Sequence, residues 1–335
     1  MSNDIKLTSV FQIDAYRHRY KSQVGGLYFG FEPLDPYLQF VQGIPIVFTG
    51  VANMGKTNFI KELLINLSII QGKKHFVFSP EGAGKLALVN ELISMYISKE
   101  SRVQQRIKIV GEEKKTNEYS ATDEQWKQGA DFVEQYFYIA ERDDFPNPKQ
   151  VTLQDVYNLE KLTGIFDTVT IDAFNQLHDP NDSSLYKFVI ETNQAIKAHD
   201  EQENKSTFIV VHGQEVEHRG QTGASPYPMP VASKNLEGGK GWEKFADVIC
   251  QVYVPQKDTI ETEYDYPALI MIQKVRSKDS GKKGVVTMGW SPQKMARYYE
   301  IIEGRTYYAD EYRKEQINGK SKDYNYEGLN ADTPF

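Results

Sequence analysis

The stretch IPIVFTGVANMGKT, residues 44–57, decides the fold of this 335-residue chain. Its second part has the spacing G-x4-G-K-[ST], in which glycines let successive backbone N–H groups turn inward around a phosphate. The apolar run Ile44–Thr49 predicts a strand before the motif, and residues 56–70 predict a helix whose positive N-terminus points at the same place. Strand, loop and helix in this order indicate a P-loop; a glycine-rich structural turn is the alternative.

The P-loop motif assigns chemistry to its own residues. Lys56 would neutralise the β- and γ-phosphate oxygens of a nucleotide, and the Thr57 hydroxyl would ligate Mg²⁺. We therefore expect ATP and Mg²⁺ as cofactors. The residues expected to contact the nucleotide are Gly50, Asn53, Met54, Gly55, Lys56, Thr57 and Asn58.

Strand-like and helix-like segments alternate along most of the chain, which predicts an α/β fold with a mostly parallel sheet flanked by helices. The last strands follow one another without helices and predict an antiparallel C-terminal extension. Thr122 and Thr152 are expected helix N-caps. The predicted strands are Ile44–Thr49, His75–Ser79, Tyr136–Ala140, Thr168–Asp172, Thr207–His212, Asp247–Val254, Leu269–Lys274 and Gly284–Gly289, and the predicted helices lie near 56–70, 84–98, 122–135, 152–162 and 183–200.

Composition excludes several classes of protein. A single cysteine, Cys250, excludes a disulfide framework and a cysteine-rich zinc site within one chain. No apolar run approaches the ~20 residues that span a bilayer, and the N-terminus lacks a signal-peptide pattern. The net charge of −7 disfavours coating of DNA by bulk electrostatics but leaves local basic loops open. We expect a soluble, cytoplasmic protein without membrane partners, from a bacterial or phage-infected cell.

Three regions follow from the pattern. Residues 1–25 form an amphipathic arm, with Val10, Phe11, Ile13 and Tyr16 on one face of a possible helix. Residues 26–305 are expected to form one ATPase domain. Residues 306–335 are polar, contain tyrosines and are short of aliphatic side chains, which is typical of a loosely held tail.

Polar residues follow three of the predicted strands. Asp172 ends a strand and is placed to hold Mg²⁺ through water, although a turn-initiating aspartate is the alternative. Glu81 follows the strand of His75–Ser79, where a base could orient an attacking water; alone, such a glutamate is more often a solvated loop residue. His212 ends another strand beside Gln214 and suits contact with the γ-phosphate, or a simple hydrogen bond at the strand end.

Two cations, Lys274 and Arg276, lie on one face at the end of a predicted strand because side chains alternate along a strand. Such a pair suits phosphate contact, including an arginine finger that reaches a neighbouring subunit. A solvated basic hairpin is the alternative.

Taken in order, these pieces resemble the RecA-type motor of the hexameric replicative helicases, the DnaB-like and Twinkle-like families. The resemblance covers about residues 26–302. It rests on GLYFGFEPLD (26–35), the P-loop, SPE (79–81), VTIDAFNQL (169–177), VVHGQ (210–214), GGKGWEKFAD (238–247), QKVR (273–276) and RYY (297–299).

The resemblance implies roles for individual residues. Glu81 would be the catalytic base, Asp172 the carboxylate on the metal side, and His212 with Gln214 the γ-phosphate sensor. Arg276, with Lys274, would act in trans across a subunit interface, and Tyr298 would lie near the adenine. DNA-binding loops map to about 176–183 and 214–240, and the second carries the basic residues Arg219, Lys234 and Lys240.

The function implied by this resemblance is an ATP-dependent DNA helicase of the 5′–3′ type that forms a homo-oligomeric, hexameric ring on single-stranded DNA. A primase or loader would act in trans. Two alternatives remain open: a recombinase-like ATPase that forms filaments on DNA, and a nucleotide-gated assembly protein that does not act on DNA. The first predicted DNA loop contains Asp179 and Asp182 and is acidic; together with the acidic overall charge, this favours the second alternative slightly.

Overall fold

One ten-stranded sheet organises the described part of the chain. The computed structural model describes residues 26–98, 121–213, 230–255, 260–291, 297–302 and 304–308. The predicted N-terminal arm and most of the predicted tail lie outside these ranges. The strands are β1 (Ile46–Gly50), β2 (His75–Phe78), β3 (Phe137–Ala140), β4 (Thr168–Ile171), β5 (Ser206–His212), β6 (Val248–Tyr253), β7 (Pro267–Val275), β8 (Gly284–Ser291), β9 (Arg297–Ile302) and β10 (Arg305–Tyr307).

Helices alternate with the first six strands. They are α1 (Lys56–Gln71), α2 (Lys85–Ile97), α3 (Asp123–Tyr136), α4 (Leu153–Thr163), α5 (Leu185–Glu203) and the short α6 (Lys240–Phe245). Thr122 and Thr152 each close a capping box at the start of α3 and α4, which confirms both expected N-caps. No helix in the described ranges is long and apolar enough to cross a membrane.

The strand order is β10-β9-β8-β7-β6-β1-β5-β4-β2-β3. Strands β1 to β6 pair in parallel, and β7 to β10 continue the sheet in antiparallel pairs. This confirms the predicted α/β class and its antiparallel extension. The sequence prediction did not contain α6, β9 or β10; β10 falls at the start of the predicted tail, and Tyr308 beyond it is buried.

The parallel strands are buried on both faces, as their apolar sequences require. Alternate residues of β5 enter two different cores: Phe208 and Val210 pack with α1, α2 and α3 on one face, whereas Ile209 and Val211 pack with α4, α5 and α6 on the other. A sheet covered on both faces leaves only the strand ends open to solvent. The loops at the carboxyl ends therefore become the natural place for a site.

A buried ion pair joins the C-terminal extension to the helix after the P-loop. Arg297 on β9 is 1% exposed and donates from Nε and Nη2 to the Glu62 carboxylate of α1, which is fully buried, at 2.8–3.2 Å. Arg297 Nη1 also donates to Ser98 Oγ at 2.6 Å. The forked guanidinium matches the carboxylate geometrically, so β9 fixes where α1 sits.

We expect Glu62→Ala to lower the free energy of unfolding by about 3–5 kcal/mol, because it leaves a buried guanidinium without its carboxylate. Urea denaturation measures this loss. Replacing both residues, with Glu62→Leu and Arg297→Met, should recover much of it, since neither charge then remains in the core.

The matched control is Glu203→Ala. Its partner Lys161 lies 2.6 Å away, but both side chains are at least a third exposed, so we expect a loss below about 1 kcal/mol. Equal losses at Glu62 and Glu203 would contradict a special role for the buried pair.

Candidate active site

The P-loop connects β1 to α1 through three residues with positive φ, a conformation that glycine and asparagine adopt more readily than other residues. Gly50 has φ 144°, Asn53 has φ 61° and Gly55 has φ 79°, all in the left-handed half of conformational space. Glycine enters this region without a steric penalty, and asparagine does so more readily than most residues. The loop thus turns sharply and delivers Lys56 to the first position of α1.

Gly50 is also required by a close approach of a neighbouring strand. A Cβ atom at this position would lie 2.4 Å from the carbonyl oxygen of Val252 in β6. Such a distance is an overlap with backbone, which cannot rotate away as a side chain can. Glycine therefore permits β1 and β6 to pair right up to the start of the loop.

Lys56 turns back over the loop that precedes it. Its side chain is buried, and Nζ donates to the carbonyl oxygens of Gly50 at 3.1 Å and Val51 at 2.8 Å. Burial lowers the pKa of Lys56, while the carboxylates of Asp172 and Glu81 oppose this shift. A poorly solvated ammonium bonded to carbonyl oxygens is well suited to an anionic ligand.

Thr57 and Asp172 meet in front of the loop. The Thr57 hydroxyl donates to Asp172 Oδ2 at 2.7 Å, across 115 residues of sequence. Burial raises the pKa of Asp172, and the Thr57 hydrogen bond partly offsets the shift. Convergent hydroxyl and carboxylate oxygens fit Mg²⁺, which typically takes one or two protein ligands and completes its shell with water and phosphate. Among the described residues, no three His, Cys, Asp or Glu side chains lie together in a cluster able to hold a metal.

Glu81 lies beside these residues because β2, β4, β5 and β1 end at the same edge of the sheet. Gly50 pairs with His212 at the ends of β1 and β5, and Phe78 pairs with Ile171 at the ends of β2 and β4. His212 Nε2 is 3.3 Å from Glu81 Oε2. The three strand-end residues singled out in the sequence are thus brought to one place with the P-loop.

The sequence reasoning missed two residues of this edge. Gln176, in the turn after β4, donates from Nε2 to Glu81 Oε1 at 2.8 Å. Arg142, just after β3, donates from Nη2 to Gln176 Oε1 at 2.6 Å. Both residues follow the carboxyl end of a parallel strand, as Glu81 does. The same criterion, applied to the end of β3 and to the residues beyond Asp172, would have identified Arg142 and Gln176.

The other residues expected to contact the nucleotide surround the loop in different ways. Asn53 is exposed at its tip and Met54 is buried beneath it. Asn58 Oδ1 accepts from Lys61 Nζ, which also pairs with Glu91 of α2 at 2.5 Å. Asn58 is thus bonded to the next turn of its own helix.

Tyr298 supports the P-loop from below. Its ring is buried and packs edge-on against Phe59 with 5.0 Å between centroids, and its hydroxyl donates to the carbonyl oxygen of Gly55 at 3.2 Å. Burial raises its pKa. This position places the ring inside the core; the expected contact with adenine stays a prediction.

Lys274 and Arg276 lie at the other end of the strands. Val275 pairs with Val248, the first residue of β6, which in turn pairs with Ile46, the first residue of β1. Because β1 runs from Ile46 to the start of the P-loop, Val275 lies about 13 Å from the P-loop along the strand direction. The cation pair therefore does not join the P-loop of its own chain.

At that end the two cations bond to the C-terminus of α6. Lys274 Nζ donates to the carbonyl oxygen of Glu243, and Arg276 Nη2 donates to that of Lys244. Arg276 Nε also lies 3.7 Å from an Asp247 carboxylate oxygen. Burial, followed by the adjacent Arg276, lowers the pKa of Lys274 to about 8. Cations are favourable at a helix C-terminus, so these residues have a structural role within the chain.

The expected DNA-binding residues are only partly described. Lys234 and Lys240 are exposed in the segment that returns to the end of β5, where Glu237 N donates to the carbonyl oxygen of His212 at 2.9 Å. Gln214 and Arg219 lie outside the described residues. In the first predicted loop, the Asp179 carboxylate accepts from the backbone N–H groups of Asn181 and Ser183 and from the Ser183 hydroxyl, so it is satisfied locally.

Comparisons with known proteins give similarity in structure only. No family model matches the sequence, and no curated protein matches it. The chain is similar to a helicase ATPase domain solved by itself, with TM-score 0.64 and 16% identity over 88% of this chain and 99% of that one. It is also similar to a DnaB-like replicative helicase, from a structure describing interactions with primase, with TM-score 0.60 and 16% identity over 87% of this chain and 68% of that one. The RadB recombinase gives TM-score 0.48 and 15% identity, covering 81% of this chain and 97% of that one.

These similarities concern the fold. At 16% identity, the agreement with the separately solved ATPase domain over nearly all of its length shows that this chain shares the fold of that domain. The fold class expected from the P-loop and the alternating elements is thereby confirmed.

We expect Gly50→Ala to lower the free energy of unfolding by about 3 kcal/mol or more, since it combines an unfavourable φ with an overlap against β6 backbone. Gly72→Ala is the matched control. Gly72 also has a positive φ, 63°, but a Cβ there meets nothing within 4 Å, so about 1 kcal/mol is expected. Urea denaturation of both variants gives the comparison; equal losses would contradict the close approach at Val252.

Proposed function

We propose that this chain is an ATP hydrolase that works as a ring-forming helicase motor on single-stranded DNA. The observation that carries the proposal is the convergence, at one edge of the sheet, of an ammonium, a hydroxyl, two carboxylates and an imidazole: Lys56, Thr57, Asp172, Glu81 and His212. These are the groups that phosphate binding, metal binding and activation of water require.

Binding of the nucleotide uses the loop and the helix behind it. The backbone N–H groups of the P-loop and the N-terminus of α1 would face the phosphates, and Lys56 would exchange its two carbonyl partners for phosphate oxygens. Thr57 and Asp172 would hold Mg²⁺, directly and through water. When bound, the metal neutralises charge that develops on the terminal phosphate.

Hydrolysis requires a water molecule directed at the γ-phosphorus. Glu81 would accept the proton from that water while the new P–O bond forms and the bond to ADP breaks. His212, bonded to Glu81 and adjacent to Gly50 across the strands, would contact the γ-phosphate and respond to its loss. His212 directly precedes the second predicted DNA loop, so a shift of His212 on loss of the γ-phosphate would move that loop and the DNA bound to it.

In the proposed mechanism, Lys274 and Arg276 act on a nucleotide only across a subunit interface. Lys274 and Arg276 lie at the end of the sheet away from their own P-loop and bond there to the C-terminus of α6. To act on a phosphate, they would exchange these bonds for a nucleotide on a neighbouring copy. This role would require a homo-oligomer, for which we propose a hexameric ring, with a primase or loader acting in trans.

We expect single-stranded DNA to stimulate ATP hydrolysis by the wild-type protein. Lys56→Ala should lower the hydrolysis rate with DNA by about 100-fold or more, because it removes a donor to charge that develops in the transition state. Phosphate release measures both rates. Lys127→Ala, an exposed lysine on α3, is the matched control and should behave as wild type.

A double variant, Lys234→Ala with Lys240→Ala, separates DNA contact from chemistry. It should raise the DNA concentration that gives half-maximal stimulation and leave the rate without DNA unchanged. ATPase activity indifferent to DNA would contradict the helicase proposal and favour a nucleotide-gated assembly protein, in line with the locally satisfied acidic loop at Asp179.

Arg276→Ala should reduce hydrolysis by about 1,000-fold or more while leaving affinity for a nucleotide analogue largely intact, as removal of an arginine finger does. Lys278→Ala, an exposed cation in the next turn, is the control. Mixing Arg276→Ala with Lys56→Ala should restore part of the activity, because some interfaces then pair an intact P-loop with an intact finger. No recovery on mixing, or normal hydrolysis by Arg276→Ala alone, would contradict action in trans.

A further inference from the structure

The Glu81 carboxylate is held from two sides by residues of different strands. Oε2 lies 3.3 Å from His212 Nε2 at the end of β5, and Oε1 accepts from Gln176 Nε2 at 2.8 Å in the turn after β4. Each oxygen thus has its own partner. Two donors fix the rotation of a carboxylate about its terminal bond, which a single donor leaves free.

Gln176 has a defined amide orientation because a guanidinium contacts its oxygen. Arg142 Nη2 donates to Gln176 Oε1 at 2.6 Å, and Arg142 Nη1 donates to the carbonyl oxygen of Pro148 at 3.2 Å. The reversed amide would set an NH2 group against the guanidinium and an oxygen against the Glu81 carboxylate. Arg142 has only donors, so its contact directs the NH2 group of Gln176 toward Glu81.

The residue next to Arg142 fixes the other end of the loop that carries Glu81. Glu141 Oε1 accepts from the backbone N–H of Lys85 at 2.5 Å, at the first position of α2. The segment 141–142 at the end of β3 therefore contacts both the side-chain partner of Glu81 and the point where its loop enters the helix. Edge strand β3 supports the site in this way although it contributes no group to the phosphates.

We propose that Gln176 is a positioning residue for Glu81, oriented in turn by Arg142. The inference rests on the proposed ATP hydrolase and deepens it: the Arg142–Gln176 pair sets the direction in which the Glu81 carboxylate faces the attacking water. A base that must be aligned to a fraction of an ångström depends on such supporting bonds. Gln176 also begins the first predicted DNA loop and His212 precedes the second, so both partners of Glu81 lie at the roots of those loops.

Gln176→Glu is the informative variant. It preserves the shape of the side chain and keeps an oxygen for Arg142, but it replaces the N–H donor to Glu81 with a carboxylate oxygen. We expect kcat at saturating single-stranded DNA to fall about 10–100-fold, as for other supporting residues of catalytic groups, with KM for ATP changed less than about threefold. Affinity for a nucleotide analogue and the melting temperature should match wild type.

Gln154→Glu is the matched control. It makes the same change of charge on exposed α4, where Gln154 donates to Asn158 at 2.9 Å, and it should leave kcat and KM unchanged. A merely electrostatic effect of added negative charge on the protein would appear in both variants. A local effect on Glu81 appears in Gln176→Glu alone.

A double-mutant cycle tests the role of Arg142 and does not depend on the charged variant. If Arg142 acts through Gln176, Arg142→Ala lowers kcat, and adding it to Gln176→Ala causes little further loss. Losses that multiply in the double variant would overturn the assignment of Arg142.

Failure of this inference and failure of the proposed function give different results. Wild-type kcat in Gln176→Glu, alongside abolished hydrolysis in Glu81→Gln, would overturn the positioning role and leave the ATPase intact. An absence of ATP hydrolysis by the wild-type protein, at any DNA concentration, would overturn the proposed function itself.

Discussion

The parallel pairing of β1 between β5 and β6 is the constraint on which the site depends. It sets Gly50 beside His212 on one side and beneath the backbone of Val252 on the other. The P-loop must leave the sheet at that point, and only a residue without Cβ leaves it there without displacing a neighbour. The direction of α1, and with it the position of Lys56 and Thr57, follows from this exit.

Sequence reasoning recovered the parts of this arrangement that local pattern encodes. Apolar runs of four to seven residues bounded by polar ends identified the parallel strands, because burial on both faces leaves no room for alternation. Because ligands bind at the carboxyl ends of parallel strands, the sequence also predicted Asp172, Glu81 and His212 at one edge of the sheet. The contact of Thr57 with Asp172 follows from the order of the strands, which the P-loop fold implies.

What escaped prediction depends on partners distant in sequence. In the sequence, Arg297 is indistinguishable from a surface cation. Its buried bond to Glu62, 235 residues away, is what places β9 in the core. Gln176 and Arg142 each follow the end of a parallel strand, but the sequence does not show what they contact there; their role depends on Glu81, which neither neighbours in the chain. The short helix α6 has no periodic apolar pattern that would predict it. Two distant cations, Lys274 and Arg276, bond to its last carbonyl groups. Periodicity cannot report such pairings.

The separation of the P-loop from the Lys274–Arg276 pair has a geometrical consequence for assembly. Under the proposed action in trans, the P-loop of one copy meets the Lys274–Arg276 end of the next copy, and repeated head-to-tail contacts of this kind are heterologous. Growth by such contacts ends only when the rotation from one copy to the next divides a full circle. A slight change in that rotation would turn a closed ring into an open helix, and the same chain chemistry would then serve either architecture.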